Sequence, residues 1–213
     1  MSKRRILVVD DHPMVREWLG QLISREPDLA VSAEAGTAAA ALKKIAADPP
    51  DMAVVDLTME DNHGTELIRE IVRRFPQVPI LVVSMHDESL YGERAIRAGA
   101  KGYITKQEAG DQIRTAIRCV LNGRIYLSDA LATRMIRDAA EQSPSSSKAL
   151  SDQQLVVLQL LGRGYSTVQI ANEMSLSVKT VEGYIARTKA KLGLATTAEL
   201  LQYAIEFNKE PKA

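Results

Sequence analysis

Apolar residues in the first two-thirds of this chain come in short runs set between stretches of helical spacing. The runs, rich in valine and isoleucine, fall at residues 6–9, 31–33, 52–55, 80–83 and 102–104. Between them, Val15, Leu19, Leu22 and Ile23 recur at about 3.6-residue intervals. So do Ala41, Leu42 and Ile45, then Leu67, Ile68, Ile71, Val72 and Phe75, then Ile113, Ala116, Ile117 and Val120. Strands alternating with helices imply parallel strands joined by crossover helices. The runs at 6–9, 52–55 and 80–83 are apolar throughout, as strands buried on both faces require. The pattern predicts an α/β fold with a five-stranded, doubly wound parallel sheet.

The pattern breaks once. Residues 143–147 hold four serines and a proline, too little apolar surface to offset their ordering entropy. Helical spacing at 126–142 leads into this run. Residues 125–148 therefore read as a linker helix and flexible linker, between a domain at 1–124 and a second at 149–213. No strand pattern survives beyond it. "SDQQLVVLQLLGRG" opens on a Ser/Asp cap, carries Leu155, Leu158 and Leu161, and ends at Gly162 or Gly164. "TVQIANEM" is a short second helix, and "MSLS" at 174–177 a tight turn. "SVKTVEGYIARTKAKLG" is a longer third helix stopped at Gly193, and "TTAELLQYAIEFN" a fourth capped by Thr196 or Thr197. These four make a small all-α domain.

Composition narrows the class. Apolar residues make up 46% and charged residues 25%, as in ordinary globular chains. No apolar run nears the roughly 18 residues that span a bilayer, and "MSKRR" plus four apolar residues is too short for a signal peptide. A cytoplasmic protein with no membrane contact is expected. Cys119, the one cysteine, excludes an intramolecular disulfide and reads as a reduced core thiol on a helix. Trp18 reads as core. Lys plus Arg and Asp plus Glu both number 27, so any charged partner must be sought segment by segment.

In an open parallel sheet, ligands bind beyond the carboxyl ends of the strands, where strand order reverses. There the sequence places Asp10 and Asp11 ("VVDDHP"), Asp56 ("VVDLTMED"), Ser84 ("VVSMHD") and Lys106 ("GYITK"). Three clustered carboxylates repel one another unless a cation or protons offset them. Oxygen ligands suit Mg²⁺ or Mn²⁺ better than Zn²⁺. Such a cation also grips a phosphoryl oxygen, while Lys106 can neutralise a second and Ser84 can donate to a third. One carboxylate is then the nucleophile toward phosphorus. Asp56, alone at the centre, takes that role, and Asp10 and Asp11 hold the metal. Taken singly, each Asp also suits a strand end, and Asp11 suits the cap of the helix beginning at "HPMVREWL". His12 beside acids is weak evidence for a transition metal, and His63 and His86 read as loop residues.

These motifs, with "GAKGYITK", resemble the receiver domain of two-component response regulators over residues 4–122. The resemblance implies a flavodoxin-like sheet in the order 2-1-3-4-5. The resemblance implies phosphorylation of Asp56 by a histidine kinase or phosphotransfer protein. It also implies Mg²⁺ held by Asp10, Asp11, Asp56 and the backbone carbonyl of Thr58. Ser84 and Tyr103 match the switch positions, where the hydroxyl moves toward the phosphoryl group and the aromatic ring turns inward. The sequence departs from the family at Glu60, where proline is usual, which puts acidic Glu60 and Asp61 on the rim. The expected protein is a regulator and not an enzyme: it accepts a phosphoryl group on its own Asp56 and is open to self-dephosphorylation.

A short helix, a tight turn and a longer helix can lay the longer one in a DNA major groove. Lys179, Arg187, Lys189 and Lys191 against Glu182 give that helix +4 −1 = +3, suited to positioning contacts with phosphates. Thr180 suits a phosphate at the helix start. Residues 149–206 resemble the LuxR-type helix-turn-helix of NarL/FixJ response regulators, through "LSDQQLVVLQLLGRGYSTVQIANEMSLSVKTVEGYIARTKAKLGL". The candidate DNA-facing set is Thr167, Lys179, Thr180, Glu182, Gly183, Ala186, Arg187, Lys189 and Lys191. Against this, residues from Ser151 onward hold seven basic and six acidic side chains, only +1 in all. Where the family commonly reads "TVKxH", this chain has Glu182, Gly183 and Tyr184, and the family's first-helix acids are Gln154 and Val156. Glu182 can accept from a cytosine amino group and repels phosphate. Gly183 costs the helix about 0.5–1 kcal/mol relative to Ala.

A unit this small is expected to bind DNA as a homodimer. Leu200, Leu201, Ala204, Ile205 and Phe207 offer an apolar face, either for a partner copy or for the rest of the domain. The expectation is a transcriptional regulator switched by Mg²⁺-dependent phosphorylation of Asp56. The rival is a signalling module whose helical tail binds protein. A phosphatase or mutase is disfavoured because neither Asp10–Asp11 nor Asp56-Leu57-Thr58 supplies the Asp-x-Asp spacing such enzymes usually need.

Overall fold

The computed structural model describes residues 3–59, 64–141 and 150–209, so Glu60, Asp61, His63 and the serine run lie outside the described residues. The chain divides into two units, Met1–Arg137 and Asp138–Ala213.

In the first unit, strands and helices alternate: β1 (Arg4–Val9), α1 (Pro13–Ser24), β2 (Leu29–Ala35), α2 (Ala38–Ala47), β3 (Met52–Val55), α3 (Gly64–Arg74), β4 (Ile80–Ser84), α4 (Glu88–Ala98), β5 (Gly102–Thr105) and α5 (Ala109–Leu121). All strand pairs are parallel, in the expected order β2-β1-β3-β4-β5. Every residue of β3 and β4 is buried, which accounts for their unbroken apolar runs. Leu19 and Ile23 of α1 and Ile113, Ala116, Ile117 and Val120 of α5 pack on one face of the sheet. Three residues read as core sit further out. Val72 is exposed, Trp18 is half-buried against the core, and Cys119 is half-buried with its thiol 3.5 Å from the Ile125 carbonyl. Helix α4 has no long apolar spacing. It is set instead by the Asp87 cap, whose carboxylate accepts from Ser89 N at 2.9 Å, and by left-handed Gly99.

Gly64 at the start of α3 lies against the chain after Asp56, and a Cβ there would fall 2.3 Å from the Leu57 carbonyl oxygen. Only glycine lets α3 close over that loop. Beyond α5 the chain stays tied to β5, through Tyr103 N to Tyr126 O at 3.1 Å and Tyr126 N to Lys101 O at 2.9 Å. Helix α6 (Asp129–Glu141) begins docked on α4. Glu88 accepts from the Ser128 backbone N–H and hydroxyl, and Leu131 fills the notch at Gly92.

The second unit holds α7 (Asp152–Gly162), α8 (Thr167–Glu173), α9 (Val178–Leu192) and α10 (Thr197–Lys209). Reciprocal capping boxes open α7 (Ser151 with Gln154) and α8 (Ser166 with Gln169). Gln154, where the family has an acid, is thus the partner in the capping box. Ser175, at φ 52°, makes the turn into α9, which Ser177 caps and left-handed Gly193 ends. Thr196 caps α10, accepting from Glu199 N at 3.1 Å. Leu155, Leu158, Ile170, Val181, Leu200 and Ala204 are buried within this unit.

Candidate functional site

The carboxyl ends of β1, β3, β4 and β5 converge. Asp10 N–H donates to Ala35 O at 3.1 Å, and Asp56 N–H donates to Val9 O at 2.8 Å, so both acids are held as the last rungs of the ladder. The Lys106 ammonium, which follows β5, bridges them, 2.6 Å from Asp10 Oδ2 and 2.7 Å from Asp56 Oδ2. All three side chains are at most 7% exposed. Buried Ser84 closes the fourth side, its carbonyl accepting from Lys106 N at 2.7 Å and its hydroxyl from His86 N at 3.3 Å.

Burial pushes the Asp56 carboxyl up to about 6; Lys106 pulls it down, and Asp10 adds to the rise. Burial also works against the Lys106 ammonium, but Asp56 and Asp10 more than offset it and hold its pKa above the usual lysine value. One cation shared by two buried carboxylates is firmly charged, while each carboxylate receives only part of its field. Tyr103 lies inward, 1% exposed, with its hydroxyl donating to His86 O at 2.9 Å. Burial raises its pKa, so the phenol stays protonated. His86, read as a loop residue, accepts that bond and stacks on Tyr91 with ring centroids 4.5 Å apart.

Asp11 does not occupy the cap of α1. His12 stands there, with Pro13 next, and makes no side-chain cap bond. His12 N–H instead donates to Asp10 Oδ1 at 2.9 Å, and its ring Nδ1 lies 2.6 Å from Asp11 Oδ1. Asp10, Asp11 and His12 each offer a ligand atom within 4.8 Å of one another. Among the described residues, buried Asp10 Oδ2 has an ion-pair partner in Lys106 but no aligned hydrogen bond. This oxygen-rich cluster fits a hard divalent cation. Thr58 N–H donates to Asp56 Oδ1 at 3.2 Å, which orients the central carboxylate.

In the second unit, Lys179, Glu182, Ala186, Arg187 and Lys191 are exposed on α9, and Thr180, Gly183 and Lys189 are half-buried. Thr167 is half-buried at the start of α8. The Thr180 hydroxyl lies 2.8 Å from the Ser177 hydroxyl, and the Arg187 guanidinium lies 4.9 Å from the Tyr184 ring centroid. The α10 face divides: Leu200 and Ala204 are buried, whereas Leu201 and Ile205 remain exposed. Among the described residues no helix is long and apolar enough to cross a membrane.

Comparison with known proteins adds to this geometry. Residues 6–118 match the response regulator receiver domain, and residues 148–204 match the bacterial regulatory proteins of the luxR family. The chain is 36% identical over 211 residues to the DNA-binding transcriptional activator DevR/DosR of Mycobacterium tuberculosis, covering 96% of this chain and 95% of that protein. It is 32% identical over 210 residues to the oxygen regulatory protein NreC of Staphylococcus aureus, covering 95% and 97% respectively. Among solved structures, it resembles a LuxR-family two-component response regulator from Aurantimonas, with a TM-score of 0.60 and 37% identity over 65% of this chain and 99% of that one.

Proposed function

The chain belongs to the two-component response regulators that join a receiver domain to a luxR-family output domain, and on that premise we propose that phosphorylation of Asp56 switches its binding to DNA. The observation that carries the reading is the Lys106 ammonium shared by Asp10 and Asp56 at the sheet's carboxyl edge. An Asp56 oxygen attacks the phosphorus of a kinase or phosphotransfer phosphohistidine. A P–O bond forms as the donor P–N bond breaks, and the nitrogen keeps the electron pair. Asp10, Asp11, Asp56 and the Thr58 carbonyl would hold Mg²⁺ or Mn²⁺, which supplies charge neutralisation at the phosphoryl oxygens. Lys106 then moves its pairing from the carboxylate to a phosphoryl oxygen. The Ser84 hydroxyl donates to another, and inward Tyr103 fills the space beside it. Attack by water on the same phosphorus restores the carboxylate, so the switch resets itself.

The domain division follows the same reading: a receiver at 1–124, a linker helix and flexible linker at 125–148, and the DNA-binding unit at 149–213. Duplex DNA meets α9 through Lys179, Arg187 and Lys191 at phosphates. Glu182 and Gly183 take the base-facing positions, and Thr167, Thr180, Ala186 and Lys189 flank them. The exposed Leu201 and Ile205 suit a second copy of the chain. A tail that binds protein is disfavoured by the luxR-family match and by the likeness to a DNA-binding activator. A phosphohistidine donor and a duplex partner both support a cytoplasmic location.

The test is to weigh the intact protein after incubation with Mg²⁺ and a small phosphodonor. One phosphate adduct is expected, and none in Asp56→Asn. An adduct on the Asn variant would refute the assignment. Retention on random duplex DNA should fall with salt and rise with phosphorylation.

A further inference from the structure

Arg16 has no part in the chemistry above, yet it is built into the site. Its Nη1 donates to the Asp10 backbone carbonyl at 2.7 Å, and its Nε lies 3.5 Å from Glu34 Oε2 on β2. The side chain is only 19% exposed, although it is charged. Asp10 is therefore gripped on three sides. Its N–H donates to Ala35 O, its Oδ1 accepts from His12 N, and its carbonyl accepts from Arg16. The grip matters because β1 ends at Val9. Past the Asp10 N–H the sheet ladder no longer fixes the loop, so its remaining backbone groups need other partners.

We propose that Arg16 is a positioning residue for divalent-cation binding: tied to Glu34, it locks the Asp10–Asp11 peptide so that both carboxylates face the cation. The inference rests on reading Asp10 and Asp11 as metal ligands. Two effects of the guanidinium have opposite signs. As a charge it repels the cation, so its loss alone would tighten binding. As a clamp it holds the ligand loop in place, so its loss weakens binding. The repulsion is screened by the water that reaches this rim. Loss of an outer-shell partner to a metal ligand typically costs about 10- to 100-fold in affinity. The clamp wins, and the sign of the change reports it.

The experiment measures Mn²⁺ binding to the full-length chain from the electron paramagnetic resonance of free Mn²⁺, alongside metal-free thermal melts. Arg16→Met is expected to weaken binding about tenfold while the chain still melts cooperatively. Arg16→Lys keeps the charge but is a single-point donor that cannot hold Asp10 and Glu34 together, so a loss of about threefold is expected. Unchanged or tighter binding in Arg16→Met overturns the clamp. If that variant does not fold, Arg16→Lys decides, and native affinity in it overturns the clamp. A native chain that binds no Mn²⁺ refutes the metal reading itself, which separates that failure from this one.

Discussion

Asp56 is 2% exposed and shares the Lys106 ammonium with Asp10, so its carboxyl keeps a proton up to about pH 6. The nucleophile is the ionised form. Phosphate uptake from a small phosphodonor should therefore rise as pH climbs through about 6, and added Mg²⁺, which competes with the proton, should move the rise to lower pH. Intact mass at a fixed time across pH 5 to 8 measures this, and a flat profile at low Mg²⁺ would contradict it. The same raised pKa bears on stability with the opposite sense. Protonated Asp56 favours the metal-free fold fully below the unfolded-state value of about 4. That contribution is lost as pH rises through about 6. The sequence showed which acids gather here. It did not show that Lys106 would bridge two of them, because the bridge needs residues at 10, 56 and 106 brought within 3 Å of a common point.

At the scale of elements, local signals worked where they were strong. The strand runs of β1, β3 and β4 lie where their unbroken apolar stretches put them, because strands buried on both faces need such stretches, and the apolar spacings of α1 and α5 lie where the period of about 3.6 put them. Helix α4 escaped the pattern, because its start and stop come from Asp87 and Gly99 and its packing from Tyr91, Gly92 and Ala95. The pattern also put Val72 and Cys119 on apolar helix faces, yet Val72 is exposed and Cys119 only half-buried. In the second unit, the crossing of α7 and α10 depends on Gly162, where a Cβ would fall 2.2 Å from the Ala204 carbonyl oxygen. Gly162→Ala should cost about 3 kcal/mol in denaturant unfolding, because backbone and not a flexible side chain blocks the methyl. Gly110→Ala, with no described atom within 4 Å of the added carbon, should cost nothing; equal losses at the two sites would show that the crossing is not the cause.

For the whole molecule, two units with separate cores imply two separable unfolding events. A ligand that binds one folded unit raises that unit's stability by mass action. In calorimetry, Mg²⁺ should therefore move the receiver transition upward and leave the helical unit's transition in place. An equal shift in both, or in neither, would count against the site at Asp10, Asp11 and Asp56. The net charge of zero concealed the basic face of α9, because acids elsewhere cancel it; charge had to be read by element.

Local pattern along the chain was enough for the strands, their parallel sense, the all-α second unit and the acids, hydroxyl and amine at the sheet's carboxyl edge, because these follow from short-range periodicity and from parallel strands ending on one side; the strand order came from the family resemblance. Only the tertiary structure decided how those groups meet. It alone set the shared Lys106, the raised carboxyl of Asp56, the inward Tyr103 resting on His86, the division of the α10 face and the hold of Arg16 on Asp10. Each of these depends on distance across strands and on exclusion of water, which no local pattern encodes.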